Sequence, residues 1–291
     1  MRLINIKFKD KFNKPNNMIK SFRIFESFNE IKSICNRHNI KNWELNSETG
    51  LVDVFGDVDI SDREITRIPV KFGRVEGNFD CHNNQLTHLE GSPQSVGGGF
   101  YCRNNQLTHL EGAPQSVGGN FYCHNNQLTH LEGAPQSVGG YFDCHNNQLT
   151  HLEGAPQSVG GGFYCSNNQL TSLEGAPQSV GGNFYCSNNQ LTHLEGAPRS
   201  VGGNFYCNDN QLASFKGIPE YSLNEEETFY CNGNPIYEIY KLFNTPKCID
   251  LINEYEVIGD GAVSRVRLEE VFLELGMEVP KNLDFKNYKL I

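Results

Sequence analysis

The sequence predicts a repeat solenoid of the α/β class, built mostly of short parallel β-strands. The stretch VGGNFYCHNNQLTHLEGAPQS, from Val117 to Ser137, has near-copies of itself on both sides. Seven cysteines from Cys81 to Cys207 stand 21 residues apart, and Cys231 follows after 24. A fixed period in this range indicates stacked coils, because one such unit buries its apolar face only against its neighbours.

The strand positions come from aligning the unit with the leucine-rich-repeat pattern L-x-x-L-x-L-x-x-N-x-L. In one copy, Phe100 and Cys102 take the two inward strand positions, and Leu107 and Leu110 take further core positions. Asn105 takes the asparagine position. A chain that turns out of a short strand leaves backbone N–H and C=O groups unpaired, and a stacked asparagine side chain satisfies them.

The return segment of each coil is predicted to be irregular or a 3₁₀ turn. Gly97, Gly98 and Gly112 allow tight bends at low steric cost, and Pro114 fixes φ in the returning chain. The segment is too short and too rich in glycine and proline for a full helix. Each coil is therefore predicted to consist of a strand, a turn and an irregular return.

The chain resembles a leucine-rich-repeat solenoid over residues 51–239, which we take as one domain. The divergent first copy has Val58, Ile60 and Ile65 where later copies have Phe, Cys and Leu, and Asp62 where they have asparagine. The amino-acid sequence of the unit, as in FYCSNNQLTSLEGAPQSVGG, is similar to the repeats of proteins from tailed bacteriophages and large DNA viruses. That resemblance implies a viral protein that acts in the cytoplasm of an infected host cell or is carried in a virion.

The two ends of the chain are predicted to cap the solenoid. Residues 1–50 combine a strand, LINIKF, with an amphipathic helix around SFNEIKSICNRHN, and form an α/β N-terminal cap. Residues 240–291 form a helical C-terminal cap, whose helices are expected within PIYEIYKLFN, TPKCIDLINEYEV and AVSRVRLEEVFLELGM. Terminal coils need such caps because their outer side has no neighbouring coil.

The outward strand face is the predicted partner-binding surface. Side chains alternate along a strand, so Gly99, Tyr101 and Arg103 point away from the core, and nearly all differences between the copies fall at such positions. In solenoids of this kind this face is commonly concave and binds a partner. The predicted partner-binding residues are Tyr101, Arg103, Tyr122, His124, Tyr141, Asp143, His145, Tyr164, Tyr185 and Tyr206. In the alternative interpretation, exposed positions vary freely and tyrosine only favours the strand.

Neither a metal site nor a cofactor is predicted. Five histidines occupy the variable position of Q-L-T-x-L and are expected to stack along one flank: His88, His109, His130, His151 and His193. No carboxylate or thiolate joins them at the spacing of metal ligands. The periodic cysteines form no C-x-x-C cluster and are interpreted as reduced core thiols. The pairs Asp80/His82 and Asp143/His145 resemble half of a catalytic pair, but neighbours on a flat sheet have no pocket and no oriented nucleophile.

Charge and composition narrow the function class. The chain of 291 residues has a formal net charge of −10, which argues against a nonspecific nucleic-acid or anionic-membrane binder. Its N-terminus has no signal-peptide pattern, and no apolar run reaches membrane-helix length, so we expect a soluble protein made in a cytoplasm. Residues 1–50 carry ten Lys/Arg and five Asp/Glu, whereas residues 217–291 carry seven Lys/Arg and fourteen Asp/Glu. A basic start and an acidic end favour at most weak head-to-tail self-association.

The predicted function is therefore noncatalytic binding of a protein partner. One alternative is a structural component of a phage particle that uses the same face for assembly. A less favoured alternative is a ubiquitin-ligase-like effector, because Cys248, Ile249 and Asp250 match the Cys-x-Asp motif of such enzymes. Only about sixty residues follow Cys231, the last of the repeated cysteines, which is too few for that all-helical catalytic domain.

Overall fold

The computed structural model describes residues 27–218, 229–243, 245 and 247–291. The predicted fold class is confirmed: the chain is a solenoid of parallel strands with a 21-residue period. One sheet, here the phenylalanine sheet, contains the strands β3 (Val58–Asp59), β5 (Phe79–Asp80), β7 (Phe100–Tyr101), β9 (Phe121–Tyr122), β11 (Phe142–Asp143), β13 (Phe163–Tyr164), β15 (Phe184–Tyr185), β17 (Phe205–Tyr206) and β18 (Phe229–Tyr230). Its neighbouring strands pair in register, so that Phe142 lies between Phe121 and Phe163.

The return segment forms a second sheet, which corrects the prediction of an irregular or 3₁₀ return. This valine sheet contains β1 (Trp43–Leu45), β2 (Val52–Val54), β4 (Phe72–Val75), β6 (Ser95–Val96), β8 (Ser116–Val117), β10 (Ser137–Val138), β12 (Ser158–Val159), β14 (Ser179–Val180) and β16 (Ser200–Val201). Strand β1 pairs antiparallel with β2, and the other pairings are parallel. The serine-valine pairs become strands because Val138 turns inward and is buried, while the backbone pairs with both neighbouring coils.

The core consists of columns of identical residues, as the alignment predicted. Phe100, Cys102, Leu107 and Leu110 are fully buried. The phenylalanine rings stack from coil to coil, with 5.4 Å between the ring centroids of Phe100 and Phe121. Large apolar side chains thus repeat at the spacing of the coils, and each coil covers the apolar face of the next.

The buried asparagine has the predicted backbone role. Asn105 Nδ2 donates to the carbonyl oxygens of Cys81 and Cys102, at 3.0 and 3.1 Å, and its Oδ1 accepts a hydrogen bond from Leu86 N. Each such side chain therefore joins its own coil to the preceding one. Asp62 in the divergent first coil matches the other, exposed asparagine of the Asn-Asn pair: its φ is 54°, and that of Asn83 is 51°. Asn83 Nδ2 donates to Asp62 Oδ1 at 2.9 Å.

The glycines have two different roles, where the sequence analysis expected only bends. Gly112 has a φ of +87°, a conformation that residues with a side chain rarely adopt. Gly118 lies so close to the preceding coil that a Cβ atom would overlap the carbonyl oxygen of Gly97. The Gly-Gly pair is required because successive coils approach each other closely there.

The N-terminal end has a helix over residues 27–37, α1, within the predicted amphipathic segment. Cys35 and Ile40 from this part of the chain are buried in the common core. The predicted strand LINIKF lies outside the described residues. The predicted domain boundaries after residues 50 and 239 stay predictions.

The C-terminal end has the three predicted helices, α2 (Tyr237–Phe243), α3 (Lys247–Glu254) and α4 (Arg265–Glu274). It also has a small sheet that was not predicted, formed by β19 (Ile258–Gly259), β20 (Ala262–Val263) and β21 (Lys289–Leu290). This end contacts the last coils: Ile236 N donates to Leu212 O at 3.0 Å, and the Tyr288 hydroxyl donates to Ala213 O at 2.9 Å. Among the described residues, no helix has the length and apolar character needed to cross a bilayer.

Candidate protein-binding face

The outer surface of the phenylalanine sheet carries all ten residues predicted to bind a partner; we call it the tyrosine face. The strand alternation turns Phe121 and Cys123 into the core, and it leaves Tyr122 and His124 only half-buried on the other side. Because the coils are in register, equivalent residues form rows across the sheet. One row contains Tyr101, Tyr122, Asp143, Tyr164, Tyr185 and Tyr206, and the next row contains Arg103, His124 and His145.

Tyrosine rings stack in the C-terminal half of this face. The ring centroids are 4.6 Å apart for Tyr164 and Tyr185, 4.3 Å for Tyr185 and Tyr206, and 4.5 Å for Tyr206 and Tyr230. Asn183 Nδ2 donates to the Tyr185 hydroxyl at 3.1 Å. Burial, followed by the neighbouring Tyr185, raises the pKa of Tyr164 to about 12. The stack is therefore a preformed aromatic strip of half-buried rings.

The N-terminal half of the tyrosine face combines aromatic and charged groups. The rings of Tyr101 and Tyr122 lie 5.3 Å apart, and the guanidinium carbon of Arg103 lies 5.8 Å from the centre of the Tyr101 ring. At that distance the cation is attracted by the face of the ring. Asn120 Nδ2 donates to the Tyr122 hydroxyl at 2.9 Å and fixes that ring.

Tyr141 projects from the row and is the most accessible of the ten predicted residues. Tyr141 is 42% exposed, whereas the other nine residues are half-buried. The Tyr141 ring lies 5.8 Å from that of Tyr164 and meets the start of the tyrosine stack. An exposed aromatic group at the border of the charged half is suited to a partner contact, because tyrosine loses little side-chain entropy on binding.

Asp143 lies between two histidines of adjacent coils. Its Oδ1 is 2.6 Å from His145 Nδ1, and its Oδ2 is 3.1 Å from His124 Nδ1. The two imidazole rings stack with centroids 4.5 Å apart. Burial alone would raise the pKa of Asp143, but its interactions with His124 and His145 outweigh it and lower the pKa to about 2. The carboxylate is therefore ionised at neutral pH.

The Asp-x-His spacing predicts only the pairing of Asp143 with His145, and the contribution of His124 is visible only in the structure. The contact depends on the register between coils, in which Tyr122 is the direct neighbour of Asp143 and places His124 beside it. In the sequence, this three-residue cluster is marked by a histidine, His124, that stands 21 residues before the histidine of the Asp143-x-His145 pair. The pair Asp80/His82 has no such partner, because Ser61 occupies the corresponding position.

A shallow groove of about 460 Å³ crosses the opposite surface, over the valine sheet. It is lined by repeated serine, valine and glycine residues, including Ser95, Ser116 and Ser137, with Arg74 at one end. Equivalent positions in this groove carry the same residue in neighbouring coils, so it presents a uniform surface with few features that distinguish one partner from another.

Cys248, the residue of the ubiquitin-ligase alternative, lies in the core. It is fully buried in α3, and burial raises the pKa of its thiol to about 12. A nucleophilic cysteine must be accessible and must reach the thiolate state near neutral pH. The environment of Cys248 opposes both requirements.

The comparisons with known proteins give only distant similarities. No protein-family model matches the chain, and no curated protein matches it in sequence. Among solved structures, YopM from Yersinia enterocolitica WA-314 is 16% identical with a TM-score of 0.26, over 61% of this chain and 56% of YopM. YopM from Yersinia pestis, described as a leucine-rich effector protein, is 16% identical with a TM-score of 0.38, over 61% of this chain and 60% of that one. The matches thus span less than two thirds of either YopM chain. The fold described above rests on the strand pairing and the period of this chain itself.

Proposed function

We propose that the chain is a noncatalytic protein-interaction module that binds a protein partner through the tyrosine face. The observation that carries the proposal is the concentration of the differences between copies on this one surface. The same surface holds the stacked tyrosines, the Arg103 cation and the ionised Asp143. Aromatic rings and arginine are the groups that contribute most to binding energy at protein interfaces.

The two halves of the tyrosine face suit two kinds of contact. The stacked rings from Tyr164 to Tyr206 are half-buried before binding, so they offer a rigid apolar strip at small entropic cost. Arg103, Asp143 and the histidines offer charges that select among partners by complementarity. For a partner that covers both halves, the aromatic strip would supply most of the affinity and the charged groups would supply the specificity.

The setting of this function is proposed from the resemblance of the repeat unit to phage and large-DNA-virus proteins. It favours a protein that acts in the cytoplasm of an infected host cell and contacts a host protein there. A structural role in a virus particle is the alternative, and the same face would then serve assembly. Sedimentation distinguishes the two: a particle component co-sediments with purified virions, and a host-directed factor stays free in the lysate.

The binding experiment begins with affinity purification of the full chain from infected cells and identification of the captured partner by mass spectrometry. Binding of that partner is then measured for the double variant Tyr122→Ala/Tyr164→Ala. We expect binding to weaken by at least ~2 kcal/mol, about thirtyfold in Kd, because both anchors are removed. Both rings contact neighbours, so the thermal midpoint of each variant is measured first and binding is compared well below it.

The matched control changes two exposed residues on the return side, Gln136→Ala/Gln157→Ala. We expect little change in Kd for this pair, because it lies away from the tyrosine face. If the glutamine pair abolishes binding and the tyrosine pair leaves it intact, the partner binds the return side and the proposal is wrong.

A further inference from the structure

We propose that His124, Asp143 and His145 form a binding site for one divalent transition-metal ion, with Zn²⁺ as the ion that fits best. This inference goes beyond the proposed function, which requires no metal. Each of the three side chains offers one ligand atom, and these atoms lie within 4.8 Å of one another. Two imidazole nitrogens and one carboxylate oxygen are a ligand set that Zn²⁺ commonly takes.

The spacing is close to what a tetrahedral ion requires. Two ligand atoms that each bind Zn²⁺ at about 2.0–2.1 Å lie about 3.3 Å apart. His124 Nδ1 is 3.1 Å from Asp143 Oδ2, and His145 Nδ1 is 2.6 Å from Asp143 Oδ1. The two distances are to different oxygens of the same carboxylate. An ion that Asp143 binds through one oxygen therefore requires small shifts of the carboxylate and the rings, since the three ligand atoms already lie within 4.8 Å of one another. The ion binds an imidazole through a nitrogen that carries no proton, so each ring would hold its proton on Nε2 and offer the Nδ1 lone pair.

The rings and the carboxylate are held in place by contacts of the sheet. The two imidazoles stack 4.5 Å apart, and the Tyr122 ring lies 5.9 Å from the His124 ring. Asp143 Oδ1 also accepts a hydrogen bond from His145 N at 3.1 Å. The exposed fractions are 16% for the His124 side chain, 15% for Asp143 and 31% for His145. The site is therefore preorganised and partly shielded from solvent.

The chain contains a natural comparison for this site. Asp80 and His82 repeat the carboxylate–imidazole pair, with 2.5 Å between Oδ1 and Nδ1. The coil before them supplies Ser61 where the coil before Asp143 supplies His124. Within the described part of the chain, only the complete set brings together three groups of metal-ligand type. We therefore expect one tight site per chain. Its three protein ligands leave a fourth position for water or for a donor group of a bound partner.

The test is a titration of the full, reduced chain with Zn²⁺, followed by calorimetry, and with Co²⁺, followed by visible absorption. We expect one tight equivalent for the unchanged chain and a tetrahedral Co²⁺ spectrum. The variants His124→Ser and His145→Ser each remove one ligand and introduce the residue that later coils carry, as at Ser166 and Ser187. Each is expected to weaken that equivalent by at least ~100-fold, since loss of a supporting residue alone costs about 10–100-fold.

Two matched controls make the same histidine-to-serine change elsewhere. His82→Ser removes the incomplete pair, and His130→Ser alters the flank, where Ser172 already occurs. Both are expected to leave the tight equivalent unchanged, and circular dichroism checks that all four variants are folded. The proposal is overturned if the unchanged chain binds no tight equivalent, if folded His124→Ser or His145→Ser binds as the unchanged chain does, or if a control removes the site.

Discussion

The two adjacent asparagines of each unit differ in how well their structural roles can be predicted from residue identity alone. The second, Asn105 and its equivalents, was recognised because a buried turn must satisfy its backbone groups, and its hydrogen bonds agree. The first, Asn104, has a φ of 55°, a left-handed conformation that asparagine tolerates better than most residues. Asn104 Nδ2 also donates to Asn83 Oδ1 of the preceding coil, which forms an exposed ladder. The sequence does not predict that ladder, because exposed asparagines also occur for many other reasons.

The buried cysteines make the stability of this chain depend on pH. All ten cysteines are free and buried. Burial raises the pKa of each period-21 thiol, and it raises the pKa of Cys231 and Cys248 to about 12 and that of Cys35 to about 11. In the unfolded chain these thiols ionise near pH ~8.5. The unfolded state therefore releases protons above that pH while the folded state keeps them.

We accordingly predict that the free energy of unfolding falls as the pH rises from 8 to 10. A group whose pKa is higher in the folded state stabilises the fold fully below the unfolded pKa and loses that contribution above it. The contribution of each buried thiol falls slowly near pH 8 and approaches a loss of about 1.4 kcal/mol per pH unit only well above the unfolded pKa of ~8.5. Urea unfolding under reducing conditions at pH 7, 8.5 and 9.5 measures the slope. The variant Cys123→Val should reduce the slope of unfolding free energy against pH by the contribution of one thiol. A free energy of unfolding that stays constant up to pH 9.5 would contradict the prediction.

At the scale of the element, the distance between coils depends on the Gly-Gly pair. Gly139 N donates to Val117 O at 3.0 Å, and a Cβ at Gly139 would overlap the carbonyl oxygen of Gly118. The sequence pattern predicts a role for these glycines in bends, whereas the structure shows that they allow close contact between coils. Close approach of two backbones is a tertiary property, and a single unit read along the chain does not reveal it.

We predict that Gly139→Ala lowers the free energy of unfolding by about 1–3 kcal/mol or more, because the neighbouring coil must shift to admit the methyl group. Gly56→Ala is the matched control, since a Cβ at Gly56 meets no atom within 4 Å and its φ is not in the left-handed region. That control should be neutral or stabilising by about 0.4–1 kcal/mol, because alanine restricts the unfolded chain. Chemical unfolding compares the two, and equal effects would show that coil spacing does not depend on the glycine.

At the scale of the whole molecule, the parts that repeat were predictable and the parts that connect different coils were not. The fixed period predicts that Phe121, Cys123 and Leu128 lie in the core, because packing constrains the equivalent position in the same way in every copy, and all three are buried. The valine sheet was missed because a two-residue strand with one buried valine shows no alternation. The Asp143 cluster was missed because His124 reaches it across a strand pair. The sheet of β19, β20 and β21 has no repeat to reveal it.

Stacking of equivalent coils also predicts how the molecule responds to the loss of one coil. Deletion of residues 168–188 joins Asn167 to Asn189 and removes one full period with β14 and β15. Strand β13 then meets β17 in the same register, Phe163 beside Phe205, as it now meets β15. Since solenoid stability is approximately a sum over coils and their interfaces, we expect a folded chain that unfolds at lower urea concentration with a slightly smaller m-value.

The matched control deletes residues 168–177, about half a period. It brings non-equivalent residues together, so that Leu170 and Leu173 are lost without replacement and the following coil is out of register with the preceding one. We expect this shorter deletion to cost far more stability than the longer one, with loss of cooperative unfolding measured by circular dichroism. If the two deletions destabilise the chain equally, the coils do not act as interchangeable stacked units.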